Sequence, residues 1–222
     1  MPADKAAVPA PMLDPIVLPE LQAGDGYDLE PSASLEAFAF ESISTDAVQL
    51  GGARIESCRV TGLHAAEAEL RGTTIIETVL EHLDIPVLRA SRTRWRDVRI
   101  EGGRLGSAEL YDADWESVEF VGCKLSFVNL RGSTLRDVRF TDCTIEELDL
   151  GAAEVLRLAL PGTRIRRLDV SRATLQHADL RGCEFAELTG AGSLRGAAID
   201  GDQLTLLAPL LASELGITVI EP

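Results

Sequence analysis

Three histidines, four cysteines and a few adjacent carboxylates are the side chains of this 222-residue chain that could ligate a metal, take a proton or attack a substrate. An imidazole serves as ligand or general base only with a second group within reach. A thiol becomes a nucleophile only where its pKa is lowered. Cys58, Cys123, Cys143 and Cys183 show no CxxC spacing, which argues against a zinc site. His64, His82 and His177 stand far apart in the chain, and none has an evident nucleophile and orienting acid beside it. Glu146 and Glu147 are adjacent, but paired carboxylates do acid–base work only in a pocket that shifts a pKa. Whether any of these groups meet depends on the elements that carry them.

Those elements follow a period of five. From Ala108 to Ile145 every fifth residue is large and apolar: Leu110, Trp115, Phe120, Leu125, Leu130, Leu135, Phe140 and Ile145. Two residues before each stands a smaller apolar or hydroxyl residue, such as Ala108, Ala113, Cys123, Ser133 and Cys143. Neither a helix, with its period of about 3.6, nor a half-buried strand, with its period of 2, has this spacing, so the chain is a repeat architecture. The frame holds from Leu35 to Phe185 without insertion, 31 consecutive pentads, and only Thr45 breaks the run of apolar centres. All 45 charged residues between 35 and 190 avoid the two apolar positions, where chance would put about 18 of them.

The units Ala68-Glu69-Leu70, Ala108-Glu109-Leu110, Ala113-Asp114-Trp115, Val128-Asn129-Leu130 and Ala178-Asp179-Leu180 carry a recognisable signature. The chain resembles the pentapeptide-repeat family, whose unit is written A-(D/N)-L-x-x, over roughly 155 residues. The resemblance implies an all-β solenoid, a right-handed quadrilateral parallel β-helix with four pentads per coil. The centre and the residue two before it would point inward. It also implies one candidate partner, because some family members protect DNA gyrase, a type II topoisomerase, as acidic dimeric rods that imitate duplex DNA.

Writing the chain twenty residues to a row tests the four-pentad coil. One column of centres reads Leu35, Ile55, Ile75, Trp95, Trp115, Leu135, Val155, Leu175, and its inner partners are small throughout, from Ala33 and Ala53 to Ala153 and Ala173. A packed interior conserves volume, so the face with small partners is where two stacked tryptophans fit. Nearly eight coils, each rising about 4.8 Å, give a rod roughly 38 Å long. In this grid the histidines fall outward on different faces and coils. Cys123, Cys143 and Cys183 share an inner column with Thr163 and read as buried free thiols. Arg71-Gly72, Arg131-Gly132 and Arg181-Gly182 fall at corners. An interior filled by its own ladders leaves no cavity for a substrate, so no catalytic, cofactor or metal site is expected and the protein reads as a non-enzyme.

The ends differ from the coils. Residues 1–31 are proline-rich and acidic, an extension able to fold over the first coil through Ile16-Val17-Leu18 and Leu21. The β-helix occupies 32–201, with the frame slipping by one after Phe185, so that Leu194 and Ile199 become centres. Residues 202–222 form a short helical cap and tail, with Asp202 as N-cap, leucines at Leu204, Leu207, Leu211 and Leu215, and Gly216 as terminator. Pro209 predicts two short helices or a kink. The same leucines are candidate dimer residues, because relatives often pair end to end.

Charge bears on partners. A net charge of −15 argues against direct nucleic-acid binding. The repeat region supplies 26 acidic and 19 basic residues, a net −7, and the ends the remainder. One column, Gln49, Glu69, Arg89, Glu109, Asn129, Asp149, Asp169, is largely acidic, and Glu69, Glu109, Asp149 and Asp169 form a candidate interaction face. Arg59, Arg99 and Arg139, and likewise Arg104, Lys124 and Arg164, form basic ridges that weaken a DNA-mimic reading unless neighbouring acids neutralise them. Gyrase protectors also commonly carry a projecting loop, for which the unbroken frame leaves no room. The N-terminus lacks the apolar core of a signal peptide and no run approaches a membrane span, so a cytoplasmic location is expected. The leading reading is a protein-interaction rod whose partner the sequence does not name.

Overall fold

The computed structural model describes residues 8–220. Parallel strands stack with a register of twenty residues, as in Arg94↔Asp114, Asp114↔Thr134 and Thr134↔Glu154. They form a 12-stranded sheet and an 8-stranded sheet around a continuous core. The result is a parallel β-solenoid of about 9 turns with a single C-terminal helix, consistent with a right-handed quadrilateral β-helix. The extra turn beyond the eight of the pentad count comes from flanking strands. Gln22–Gly24 pairs ahead of Phe38–Glu41, and Ala197–Ala198 pairs after Thr174–Asp179.

Pentads bend the chain at corners. The residue two after each centre has positive φ on most corners, including Gly72 (φ 68), Gly132 (φ 67) and Gly182 (φ 73). Asp97, Asp112, Asp137, Arg157 and His177 hold the same left-handed conformation without glycine's freedom. Each such residue costs about 1 kcal/mol or more, which the ladder bonds on either side offset. Inside, Trp95 and Trp115 stack with ring centroids 4.6 Å apart and planes 7° apart, on the face of small partners. Phe120 and Phe140 stack beside them at 4.7 Å. Inner hydroxyl and thiol groups reach back one coil: Thr73 Oγ1 donates to the Leu50 carbonyl, Ser133 to Leu110 and Thr163 to Phe140.

At the N-terminal end the covering segment is Gln22–Leu29. Gly24 lies against Phe40, where a Cβ would stand 2.3 Å from the ring, so only glycine fits. Asp25 caps a short 3-10 turn, Gly26–Asp28, and Leu29 packs on the core. The apolar piece expected over the first coil, Ile16-Val17-Leu18 with Leu21, lies just upstream of it, with Ile16, Leu18 and Leu21 half-buried and Val17 exposed. The segment before it runs back along the side of the rod. The Met12 N–H donates to Asp137 Oδ1 at 2.8 Å and the Asp14 N–H to Ser117 Oγ at 3.0 Å. Ser117 and Asp137, outward by position, are consequently buried.

At the other end one helix, Gly201–Glu214, contains Pro209 in place of the two short helices. Leu207 is buried and Leu210 and Leu211 pack on the core, so contacts on both sides of the proline hold the helix together. Its N-cap is Asp200, two residues before the expected Asp202. Asp200 prevails because Gln203 stands three residues on and closes a capping box. Gly216 (φ 68) ends the helix, with the Ile217 N–H on the Ala212 carbonyl and the Gly216 N–H on Ser213.

Candidate interaction surfaces

The acidic column is one line on the rod: Glu69↔Arg89, Arg89↔Glu109 and Asp149↔Asp169 are in register. Most of its carboxylates are occupied by the protein itself. Asp149 Oδ1 accepts the Gly151 N–H at 2.7 Å, Asp169 Oδ1 the Ser171 N–H at 2.7 Å, and Glu69 Oε1 the Arg71 N–H at 3.0 Å. Each holds the corner two residues on, the job that an Asx turn does. Arg131 bridges Asp149 (3.1 Å) and Asp169 (3.3 Å) across two coils. It lies flat over Gly151, whose missing Cβ would meet the guanidinium at 2.6 Å. Glu109 is half-buried in the same line. In the neighbouring acidic position Asp179, the Arg181 guanidinium holds the carboxyl below its ordinary pKa.

The first basic ridge is neutralised. Arg99 and Arg139 clasp Glu119 at 2.9 and 2.6 Å, and Arg59 lies 3.9 Å from Glu81. Arg104, Lys124 and Arg164 differ: no described carboxylate stands within ion-pair distance of them. Beside Arg104 and Lys124 a surface hollow of about 430 Å³ is bordered by His64, His82, Gly102 and Gly122. His64 and His82 therefore share one hollow instead of lying on different faces. The corner that His82 occupies leads within two residues to the rung of Asp84, and Asp84 is in register with His64. His64 Nδ1 is 3.7 Å from Asp84. Among the described residues no group of three or more His, Cys, Asp or Glu side chains is arranged to hold a metal. His177 sits alone at a corner.

All four cysteines are buried free thiols. Burial pushes Cys183 up to about 12 and also raises Cys58. Cys143 is raised by the adjoining Cys123 thiol and then by burial. Cys123 is lowered by its hydrogen bond with Cys143; the three raised thiols, held protonated, are poor nucleophiles.

The four C-terminal leucines divide. Leu207 (2% exposed) seats the helix and Leu211 supports it, whereas Leu204 (52%) and Leu215 (75%) face outward. Reasoning from sequence missed Gln203, which is buried beside Leu207. Its Nε2 donates to the Leu180 and Cys183 carbonyls at 2.6 and 2.7 Å, and its Oε1 accepts the Asp200 N–H. The available signal was its spacing of three from Asp200, the capping-box pattern.

The regular register, the inward ladders and the left-handed corners define the class, a parallel β-solenoid built on a five-residue unit. Residues 113–189 match the family model described as Pentapeptide repeat region, and the chain carries a pentapeptide-repeat region. Among solved structures it is similar to trypsin-treated QnrB1, a plasmid-mediated fluoroquinolone resistance protein, at 17% identity and TM-score 0.31, over 90% of this chain and 100% of that one. It is also similar to HetL, a pentapeptide repeat protein involved in heterocyst differentiation regulation from the cyanobacterium Nostoc sp. strain PCC 7120. That likeness has 18% identity and TM-score 0.39, over 76% of this chain and 90% of the other. No curated protein matches the sequence. No helix among the described residues is long and apolar enough to cross a membrane.

Proposed function

We propose that the protein is a non-enzymatic, cytoplasmic binding rod that engages a protein partner through its outward columns. The observation that carries this reading is the division of labour between faces. Inward positions are committed to the ladders, with side chains from Leu35 to Phe185 in one continuous core. Only outward positions are left to vary, and they repeat at the strand spacing of about 4.8 Å as fixed, rigid columns. Affinity capture from native cytosol, using the full chain as bait, tests it. A reproducible partner lost on charge reversal of outward residues supports the rod, and repeated capture of nothing specific counts against it.

A second reading is that the rod imitates duplex DNA and binds a gyrase-type topoisomerase. The net charge of −15 favours it. Against it, Glu69, Asp149 and Asp169 spend acceptor atoms on their own corners, and Arg131 neutralises two of them. Supercoiling assays with purified gyrase decide the matter: no change in supercoiling or quinolone poisoning at micromolar protein removes this reading. A homodimer through the C-terminal segment belongs to either version. The support is the outward exposure of Leu204, Leu206, Leu215 and Ile217 at one end of the rod. Light scattering of full-length protein that stays monomeric at high concentration would dispose of it.

A further inference from the structure

Carboxylates neutralise most arginines on the coils, as in Arg94 with Asp114, Arg136 with Glu116 and Arg166 with Glu146. Arg104 and Lys124 interrupt that lattice on adjacent rungs of one column. Asp84 is in register with Arg104 and yet lies nearer to His64, at 3.7 Å. Two cationic groups are thus left facing solvent beside a hollow of about 430 Å³ that Asp84 also lines, its carboxylate on the His64 side. The floor is low because the corners beside it are Gly102 and Gly122. Gly102 suits its corner, with φ 61, and leaves room for the His82 ring, whose Nδ1 would stand 2.7 Å from a Cβ. His82 is thereby laid against the hollow as a third nitrogen-bearing group.

We infer that this hollow is a binding site for a small phosphorylated ligand, held at Arg104 and Lys124 with His82 alongside. A guanidinium takes two phosphate oxygens at once and an ammonium adds a point charge. Neighbouring rungs about 4.8 Å apart root these two side chains close enough for both to reach a single phosphate or a diphosphate. A long polyanion fits less well. Glu81 and Glu101 directly precede the corners at the rim, and the whole rod carries −15, a field that repels extended negative charge. This assignment does not depend on the binding-rod reading, since it concerns a ligand and not a protein partner.

Amide NMR titration of the full-length protein with inorganic pyrophosphate at low ionic strength tests it. Saturable shifts confined to Gly102, Gly103, Gly122 and Lys124 are expected. Arg104→Glu with Lys124→Glu should weaken binding by about tenfold or more, while Arg172→Glu with Arg195→Glu, cations elsewhere on the molecule, should leave it unchanged. If the charge-reversed pair melts early, Arg104→Gln with Lys124→Gln makes the same comparison in a milder background. The site is overturned by shifts that never saturate at about 10 mM, by shifts spread equally over Arg172 and Arg195, or by an unaffected double variant. A short DNA duplex that binds more tightly than pyrophosphate at the same salt would likewise overturn the assignment to a small ligand.

Discussion

The first coils and the middle coils obey the same repeat and yet are filled differently. From Trp95 to Phe140 the interior is closed by two aromatic stacks, Trp95 on Trp115 and Phe120 on Phe140. Ahead of them runs a narrow apolar channel of about 60 Å³, bounded by Leu29 at the end of the rod and by Trp95 and Leu105 further in. A ladder of Leu, Ile and Val meets the period but does not span the axis of a square coil. Protein interiors lose dispersion contacts wherever such a gap remains. The pentad frame therefore fixes the path of the chain, while side-chain volume decides how firmly each coil is held.

The sharpest test of that contrast is truncation in each region. Trp115 is fully buried between Trp95 and Phe120, at 4.6 and 5.8 Å. Trp115→Ala should cost about 4 kcal/mol, near the upper range for emptying a well-packed site. Leu35→Ala, beside the existing channel at the end of the rod, should cost about 2 kcal/mol. Urea denaturation of both variants measures the difference, and equal losses would break the comparison. The buried indole N–H groups of Trp95 and Trp115 have no hydrogen-bond partner, so part of the stack's packing gain is already offset.

Much of this was readable in the sequence because it rests on side-chain volume and periodicity. The column of small partners located the tryptophan stack, and the charge-free positions located the core. Other features rest on groups that leave no such mark. The strap from Met12 to Asp14 is held by backbone N–H donors, which every non-proline residue possesses. The shared hollow of His64 and His82 appears only when a corner folds two columns together. The acidic column reads as display until Gly151, Ser171 and Arg71 are seen to donate to it. Gln203 reads as a solvent-facing helix residue until its amide is seen to reach the Leu180 and Cys183 carbonyls.

The two ends of the rod extend the comparison. Leu29 closes the channel end by apolar contact alone, whereas Gln203 closes the far end by hydrogen bonding to the last exposed carbonyls. Gln203→Leu should cost about 2 kcal/mol, because the buried Cys183 carbonyl is left without a donor and the Leu180 carbonyl keeps only the Cys183 N–H. Hydrogen exchange should speed up at Gly201–Glu214 and not at Gln22–Gly24, and uniform acceleration would contradict a local closure. The far end should also respond to acid. Asp200 is held below its ordinary pKa by the N–H groups of Gln203 and Gly182. A depressed carboxyl contributes stability above its unfolded pKa of about 3.9 and loses it as pH falls through the folded value. Helical circular dichroism should accordingly fade first below about pH 4.

The smallest effect is the most selective, because it adds volume to both regions. Ala68 lines the channel and is fully buried; Ala108, two coils on in the same column, is equally buried but does not line it. If the channel is unfilled space, Ala68→Val should stabilise the protein by about 1 kcal/mol, as cavity-filling changes do. Ala108→Val, placed among Leu88, Val128 and the packed middle coils, should destabilise it by about 1 kcal/mol through overpacking. Opposite signs in thermal melts would tie the difference between the regions to volume alone, since both substitutions add the same atoms at the same inward position of the repeat. Matching signs would mean that the first coils are as tightly held as the middle ones.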